Sequence, residues 1–116
     1  MSTAAQFHKL ALALEGTTHA PHFDRTAFKV KRTFATLSAD GLSANFKFTP
    51  DEQALKCTVA PDAFTVIPNG WGRQGWTTGI LARLTADELK GALEMAWRHA
   101  TPPPRKRTAT AKPRPS

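Results

Sequence analysis

Tyrosine is absent from this 116-residue sequence, and cysteine occurs once, as Cys57. One thiol forms no internal disulfide, and any four-ligand zinc site would have to draw on four scattered histidines. Neither a disulfide scaffold nor a cysteine-rich metal centre is therefore expected, and a reducing cytoplasm suits the composition best. No apolar run approaches the roughly 18 residues that a membrane span needs. The first twenty residues lack a charged lead and a continuous apolar block, so a soluble, unprocessed chain with no membrane partner is expected. Acidic side chains are also scarce, nine Asp and Glu against sixteen Lys and Arg, for a formal charge of +7. The length supports one domain.

The positive excess is concentrated. Residues 101–116 carry Arg105, Lys106, Arg107, Lys112 and Arg114 with no acid, five prolines and no apolar side chain larger than Ala. Such a segment cannot bury enough surface to offset its ordering entropy and is expected to be disordered. Without it, eleven basic and nine acidic side chains are left, so the chain divides into a near-neutral body, residues 1–100, and a basic tail, residues 101–116. The tail reads either as a solubilising extension or as a non-specific nucleic-acid arm.

Within the body, Phe7, Leu10, Ala11 and Leu14 follow helical spacing, with Ser2 or Thr3 as cap and Gly16 as stop. Residues 15–26 mix Gly, Pro, Thr and His without a period, as a loop would. Three runs rich in Phe, Val, Thr and Leu then read as antiparallel strands, at 27–31, 33–38 and 42–48, joined by Lys31-Arg32 and by an Asp40-Gly41 turn. Thr49 caps a short helix through 53–59, opened by Pro50 and ended before Pro61. A fourth strand is expected at 64–67 and a further one over 76–84, where Ile80, Ala82 and Leu84 point inward and Thr77 and Arg83 outward. Thr85 and Glu88 have the spacing of a capping box for a last helix, whose apolar stripe is Leu89, Ala92, Leu93, Ala96 and Trp97. The sum is an α+β two-layer sandwich: an antiparallel sheet with the two terminal helices on one face.

Two helices cover one face of such a sheet, and the other is left to solvent or to a partner. With Phe28, Val30, Phe46 and Phe48 inward, alternation sends Lys29, Lys31, Asn45 and Lys47 to the open face, which is thus polar and basic. The segment from Asn69 to Thr78 holds two of the three Trp and three of the seven Gly. It matches neither a P-loop, since the Lys-Ser/Thr ending is missing, nor a dinucleotide fingerprint, since no strand-to-helix turn follows. It reads as a glycine-flexed loop in which Trp71 and Arg73 are contact candidates, while Trp76, which opens a strand, is assigned to packing.

The runs His22-Phe23-Asp24-Arg25, Ala27-Phe28-Lys29-Val30, Asn45-Phe46-Lys47-Phe48 and Gly70-Trp71-Gly72-Arg73-Gln74-Gly75-Trp76-Thr77, with the closing helix through Trp97, resemble the MmcQ/YjbR family of small bacterial proteins. The resemblance covers most of residues 5–100. It implies a frataxin-like (CyaY-like) fold, in agreement with the reading of the residues, and it suggests DNA binding, which the residues permit. A frataxin-like fold also invites iron, held in the similar fold by acids of the first helix and first strand. Residues 2–14 contain no acid, so hard-cation ligands are missing and no metal or other cofactor is expected.

No nucleophile is paired with a base, and no two carboxylates are placed to share a cleft. Cys57 reads as a small apolar filler, and Asp51, Glu52, Asp87 and Glu88 fall in helix first turns, where capping accounts for them. The expectation is a non-enzymatic module that contacts nucleic acid, read as DNA, largely through phosphates. Its contacts would be Lys29, Lys31, Lys47, Trp71, Arg73 and Arg83, with Arg105, Lys106 and Arg107 of the tail. The alternative is a small protein-interaction or ligand-sensing domain whose tail keeps it soluble. No helix-turn-helix is apparent, so major-groove base reading is not expected, and the sequence leaves the oligomeric state open.

Overall fold

The computed structural model describes residues 2–22, 24–68 and 70–100. The tail at 101–116, with Arg105, Lys106 and Arg107, lies outside the described residues. The elements run α1 (Ala4–Leu12), β1 (Thr18–His22), β2 (Arg25–Lys29), β3 (Thr33–Leu37), β4 (Ser43–Lys47), α2 (Pro50–Val59), β5 (Phe64–Val66), α3 (Gly70–Arg73), β6 (Trp76–Ile80), a 3-10 turn (Leu81–Arg83) and α4 (Ala86–Ala100). The strands form one six-stranded antiparallel sheet in the order β1-β2-β3-β4-β6-β5. The α+β class with an antiparallel sheet is as expected.

Local signals set the longer helices. Thr3 with Gln6, Thr49 with Glu52 and Thr85 with Glu88 each close a reciprocal capping box, which satisfies amide donors that a helix start otherwise leaves unpaired. In α4, Leu89, Ala92, Leu93 and Ala96 are buried, and the helix packs on β3, β4 and α1. Phe7 of α1 meets Phe28 edge to face at 5.1 Å, and Phe46 and Phe48, two residues apart on one side of the chain, stack at 5.7 Å. Phe28, Phe34, Phe46, Phe48 and Phe64 fill the space between this sheet face and the helices. A register shift at Phe28/Lys29 gives β3 one extra residue, and both Phe34 and Ala35 join the core there.

Gly91 lies within α4, and a Cβ placed there meets nothing within 4 Å. Gly91→Ala is therefore expected to stabilise the chain by about 0.5–1 kcal/mol, since alanine restricts the unfolded chain and favours helix. A rise in the urea midpoint at unchanged slope is the readout.

Four expectations are corrected. Residues 15–26 are not all loop, because Thr18–His22 forms β1, fully paired with β2. It is an edge strand exposed along its length, so it carries no apolar alternation, and the edge tolerates Pro21. The strand expected at 27–31 runs from Arg25 to Lys29, which leaves Val30 and Lys31 in the following turn. The 69–78 segment contains a one-turn helix, α3, where a loop was expected.

The strand expected over 76–84 ends at Ile80, and its faces are opposite to those expected. Thr77 is fully buried and Gly79 also points to the core, while Trp76, Thr78 and Ile80 lie on the other face. The inward space at Gly79 is taken by aromatic rings: a Cβ there would sit 2.8 Å from Phe46 Cε2 and 3.4 Å from Phe64 Cε1. Leu81 and Leu84 are both buried across the 3-10 turn while Ala82 is exposed, so a spacing of three replaces the expected alternation of Ile80, Ala82 and Leu84.

Candidate functional site

The face opposite the core is lined, strand by strand, by Arg25, Ala27 and Lys29 of β2, Thr33 and Thr36 of β3, Ser43, Asn45 and Lys47 of β4, and Trp76, Thr78 and Ile80 of β6. All are exposed or half-buried except Thr36. Side-chain bonds hold its middle: Arg25 Nε donates to Thr36 Oγ1 at 2.9 Å, and Thr78 Oγ1 lies 2.9 Å from Asn45 Oδ1. Arg25 Nη2 is buried with no hydrogen-bond partner among the described residues.

The basic residues gather at one end. Lys47 stands directly opposite Trp76, Lys29 closes β2 opposite Thr33, and Lys31 and Arg32 sit exposed in the β2–β3 turn. Lys47 Nζ donates to the carbonyl of Gln74 at 2.7 Å, which fixes the ammonium at the junction of α3 and β6. Arg32, Thr33, Lys47, Trp76, His99 and Ala100 line a cavity of about 280 Å3 there. Ala100, the last described residue, forms part of the cavity wall.

Helix ends frame this cavity. His99 Nε2, in the last turn of α4, lies 2.6 Å from Glu52 Oε1, which also accepts the backbone N–H of Thr49 at 3.0 Å. Burial alone would raise the Glu52 carboxyl, but the hydrogen bonds from Thr49 and His99 outweigh it and hold the group below its ordinary value. The contact ties the end of α4 to the start of α2 and so holds the cavity wall in place.

The remaining candidates are dispersed. Arg83 is exposed in the 3-10 turn beyond the far end of β6 and shares nothing with the Lys47 cluster, because β6 separates them by its length of roughly 13 Å or more. Arg73 lines a second cavity, with Gln53, Val66 and Ile67, on the α2 side. Trp71 is 60% exposed on α3. Lys31 is an exposed turn residue, reached through its turn and not by strand alternation.

Three residues of the cavity were missed by sequence reasoning. Trp76 was assigned to packing because it opens a strand; the signal for its outward side lay in Gly79, which alternation with Thr77 puts on the crowded face. Arg32 reads as a turn residue from the sequence, and neither it nor His99 carries a local signal for its place at the cavity.

The other chemistry-bearing groups have structural settings. His19 stacks on Phe28 at 5.7 Å, with His8 edge-on to both, so these imidazoles extend the aromatic core to the β1 edge. The Asp40 carboxylate is held below its ordinary value first by the hydroxyl of Ser38 at 2.6 Å, then by the backbone N–H of Leu42, and shapes the β3–β4 turn. Burial pushes the Cys57 thiol up, which disfavours the thiolate that a nucleophile needs. Among the described residues, no three His, Cys, Asp or Glu are grouped to hold a metal ion, and α1 has no acid in its first turn. No described helix is long and apolar enough to cross a membrane.

Two solved structures share this fold. DR2400 of Deinococcus radiodurans, described by the domain family DUF419, superposes with a TM-score of 0.70 at 19% identity, over 83% of this chain and 76% of that one. A Pseudomonas syringae protein gives a TM-score of 0.64 at 15% identity, over 84% of this chain and 97% of that one. At these identities the likeness speaks for the fold. A comparison with curated proteins finds no match. The family model YjbR matches residues 12–99, from the end of α1 nearly to the end of α4 and across the whole sheet, and the chain belongs to the YjbR family.

Proposed function

We propose that the chain is a non-enzymatic, cytoplasmic nucleic-acid-binding module that holds DNA mainly through its phosphates. The observation that carries this reading is the convergence of Lys29, Lys31, Arg32 and Lys47 beside Trp76, at the end of the open face that also holds Ala100. Charges collected on one surface add their fields and release counterions together, whereas the same number scattered over a body steer nothing. The tail acts on the same ligand: covalent geometry alone keeps Arg105 within about 18 Å of Ala100. Trp71, Arg73 and Arg83 are not part of this cluster. The domain positions the nucleic acid, and the tail adds non-specific attraction.

The test is titration of labelled DNA with the full chain and single variants. Lys29→Ala and Lys47→Ala are each expected to weaken binding and to reduce the salt slope by about 1, while Arg83→Ala leaves both unchanged. Equal effects at all three positions would count against a localised site.

A second reading has its own observation. Leu55, Val59, Val66 and Trp71 are exposed on α2, β5 and α3, apolar surface that suits a protein partner. Absence of any nucleic-acid affinity at low salt would favour that reading over the first.

A further inference from the structure

The Lys47 end of the open face is concave, and its walls are of two kinds. One is aromatic: the half-buried Trp76 indole on β6. The other is cationic or polar and comes from three separate elements: Lys47 of β4, Arg32 of the β2–β3 turn and His99 of α4. Lys47 spends one proton on the Gln74 carbonyl, and an ammonium has two more to offer an acceptor. His99 uses Nε2 on Glu52 and has Nδ1 left. Arg32 makes no side-chain hydrogen bond or ion pair among the described residues, so its whole guanidinium is available.

A free anion would gain nothing from an indole wall, and an apolar ligand would gain nothing from an ammonium, a guanidinium and an imidazole around it. The combination suits a planar ring joined to a phosphate. The cavity of about 280 Å3 is at the small end of ligand sites, which limits it to one small occupant. A base inside a duplex cannot enter it, because its faces are covered by its neighbours, and no described helix projects from this face to enter a groove. An unpaired base exposes its π-face, and aromatic side chains take such bases regardless of sequence.

We infer that this cavity receives one unpaired nucleotide of a single-stranded nucleic acid, its base against Trp76 and its phosphate toward Arg32 and Lys47. The assignment rests on the nucleic-acid reading above and narrows its substrate class from any DNA to a single strand. Trp76 supplies the stacking plane, and Arg32 and Lys47 set the strand's direction across the end of the sheet.

Fluorescence anisotropy of the full chain tests this with two labelled probes, an oligothymidine of about 12 nucleotides and a duplex of the same length. The single strand is expected to bind roughly tenfold more tightly than the duplex at equal salt. Trp76→Leu, which keeps an apolar side chain on the strand but removes the stacking plane, is expected to lose roughly tenfold on the single strand and less than about twofold on the duplex. Thymidine 5′-monophosphate is expected to displace the strand only at millimolar concentrations; displacement in the micromolar range would assign the cavity to a free nucleotide and overturn the single-strand assignment. Equal or tighter binding of the duplex would overturn it while sparing the nucleic-acid reading, as would a Trp76→Leu loss of the same size on both probes. Failure of both probes to bind at low salt would overturn the two together. The wild-type comparison decides the question even if the Trp76 variant does not fold.

Discussion

Gly75→Ala is expected to destabilise the chain by about 2–5 kcal/mol, a large part of the 5–15 kcal/mol that holds a domain of this size. Gly75 has φ +108°, a conformation that L side chains rarely adopt. A Cβ there would also sit 1.8 Å from the carbonyl oxygen of Phe48, closer than any contact permits. The obstacle is backbone, so no side-chain rotation relieves it. The same close approach carries the hydrogen bond from Phe48 N–H to the Gly75 carbonyl, at 3.2 Å, which locks the start of β6 against the end of β4. Urea denaturation is the measurement, with Gly91→Ala, expected to shift the midpoint the opposite way, as its control. An unchanged midpoint in the Gly75 variant would refute the close approach. The local cost bears on function too, since Gln74, Trp76 and Lys47 all take their positions from this junction.

Deleting residues 101–116 is expected to flatten the dependence of log K on log salt for duplex DNA by about 4 to 5 units. The five cationic side chains of the tail, each pairing with one phosphate, release that many condensed counterions, and removal of the tail removes that release. The body, residues 1–100, carries the whole described core and should keep its urea midpoint. Affinity at low salt should therefore fall steeply while the effects of Lys29→Ala and Lys47→Ala persist in the truncated chain. An unchanged slope would take the tail out of the mechanism. A truncated chain with no affinity at low salt would instead make the tail the whole of it, and would end the case for the sheet face.

These two experiments separate what position does from what charge does. The formal charge of +7 is mostly a property of the tail, and a polyelectrolyte contribution needs no fold. The body contributes few surplus charges, so its part in binding depends on their being brought together. Lys29, Arg32 and Lys47 are brought together at the cavity end, and Arg83 is not.

Sequence alone determined the helices that carry capping signals, the central hairpin strands with Phe28, Phe46 and Phe48 inward, the α+β class and the division of charge between body and tail. Each of these depends on neighbours within a few residues, where spacing and side-chain chemistry act directly. The glycine-rich segment was legible as a flexed stretch of chain, but that Gly72 and Gly75 lie against the backbone of Ile67 and Phe48 was not. Edge strand β1 was invisible because an exposed strand buries nothing and so leaves no alternation. Only the tertiary structure decided which way Trp76 points, because that depends on Gly79 lying against Phe46 and Phe64 and on the chain leaving the strand at Ile80. It alone also decided that Arg32, Lys47, Trp76 and His99, spread over nearly seventy positions, meet at one cavity. No local rule encodes such a meeting, since it follows from strand register and from how α4 packs across the sheet.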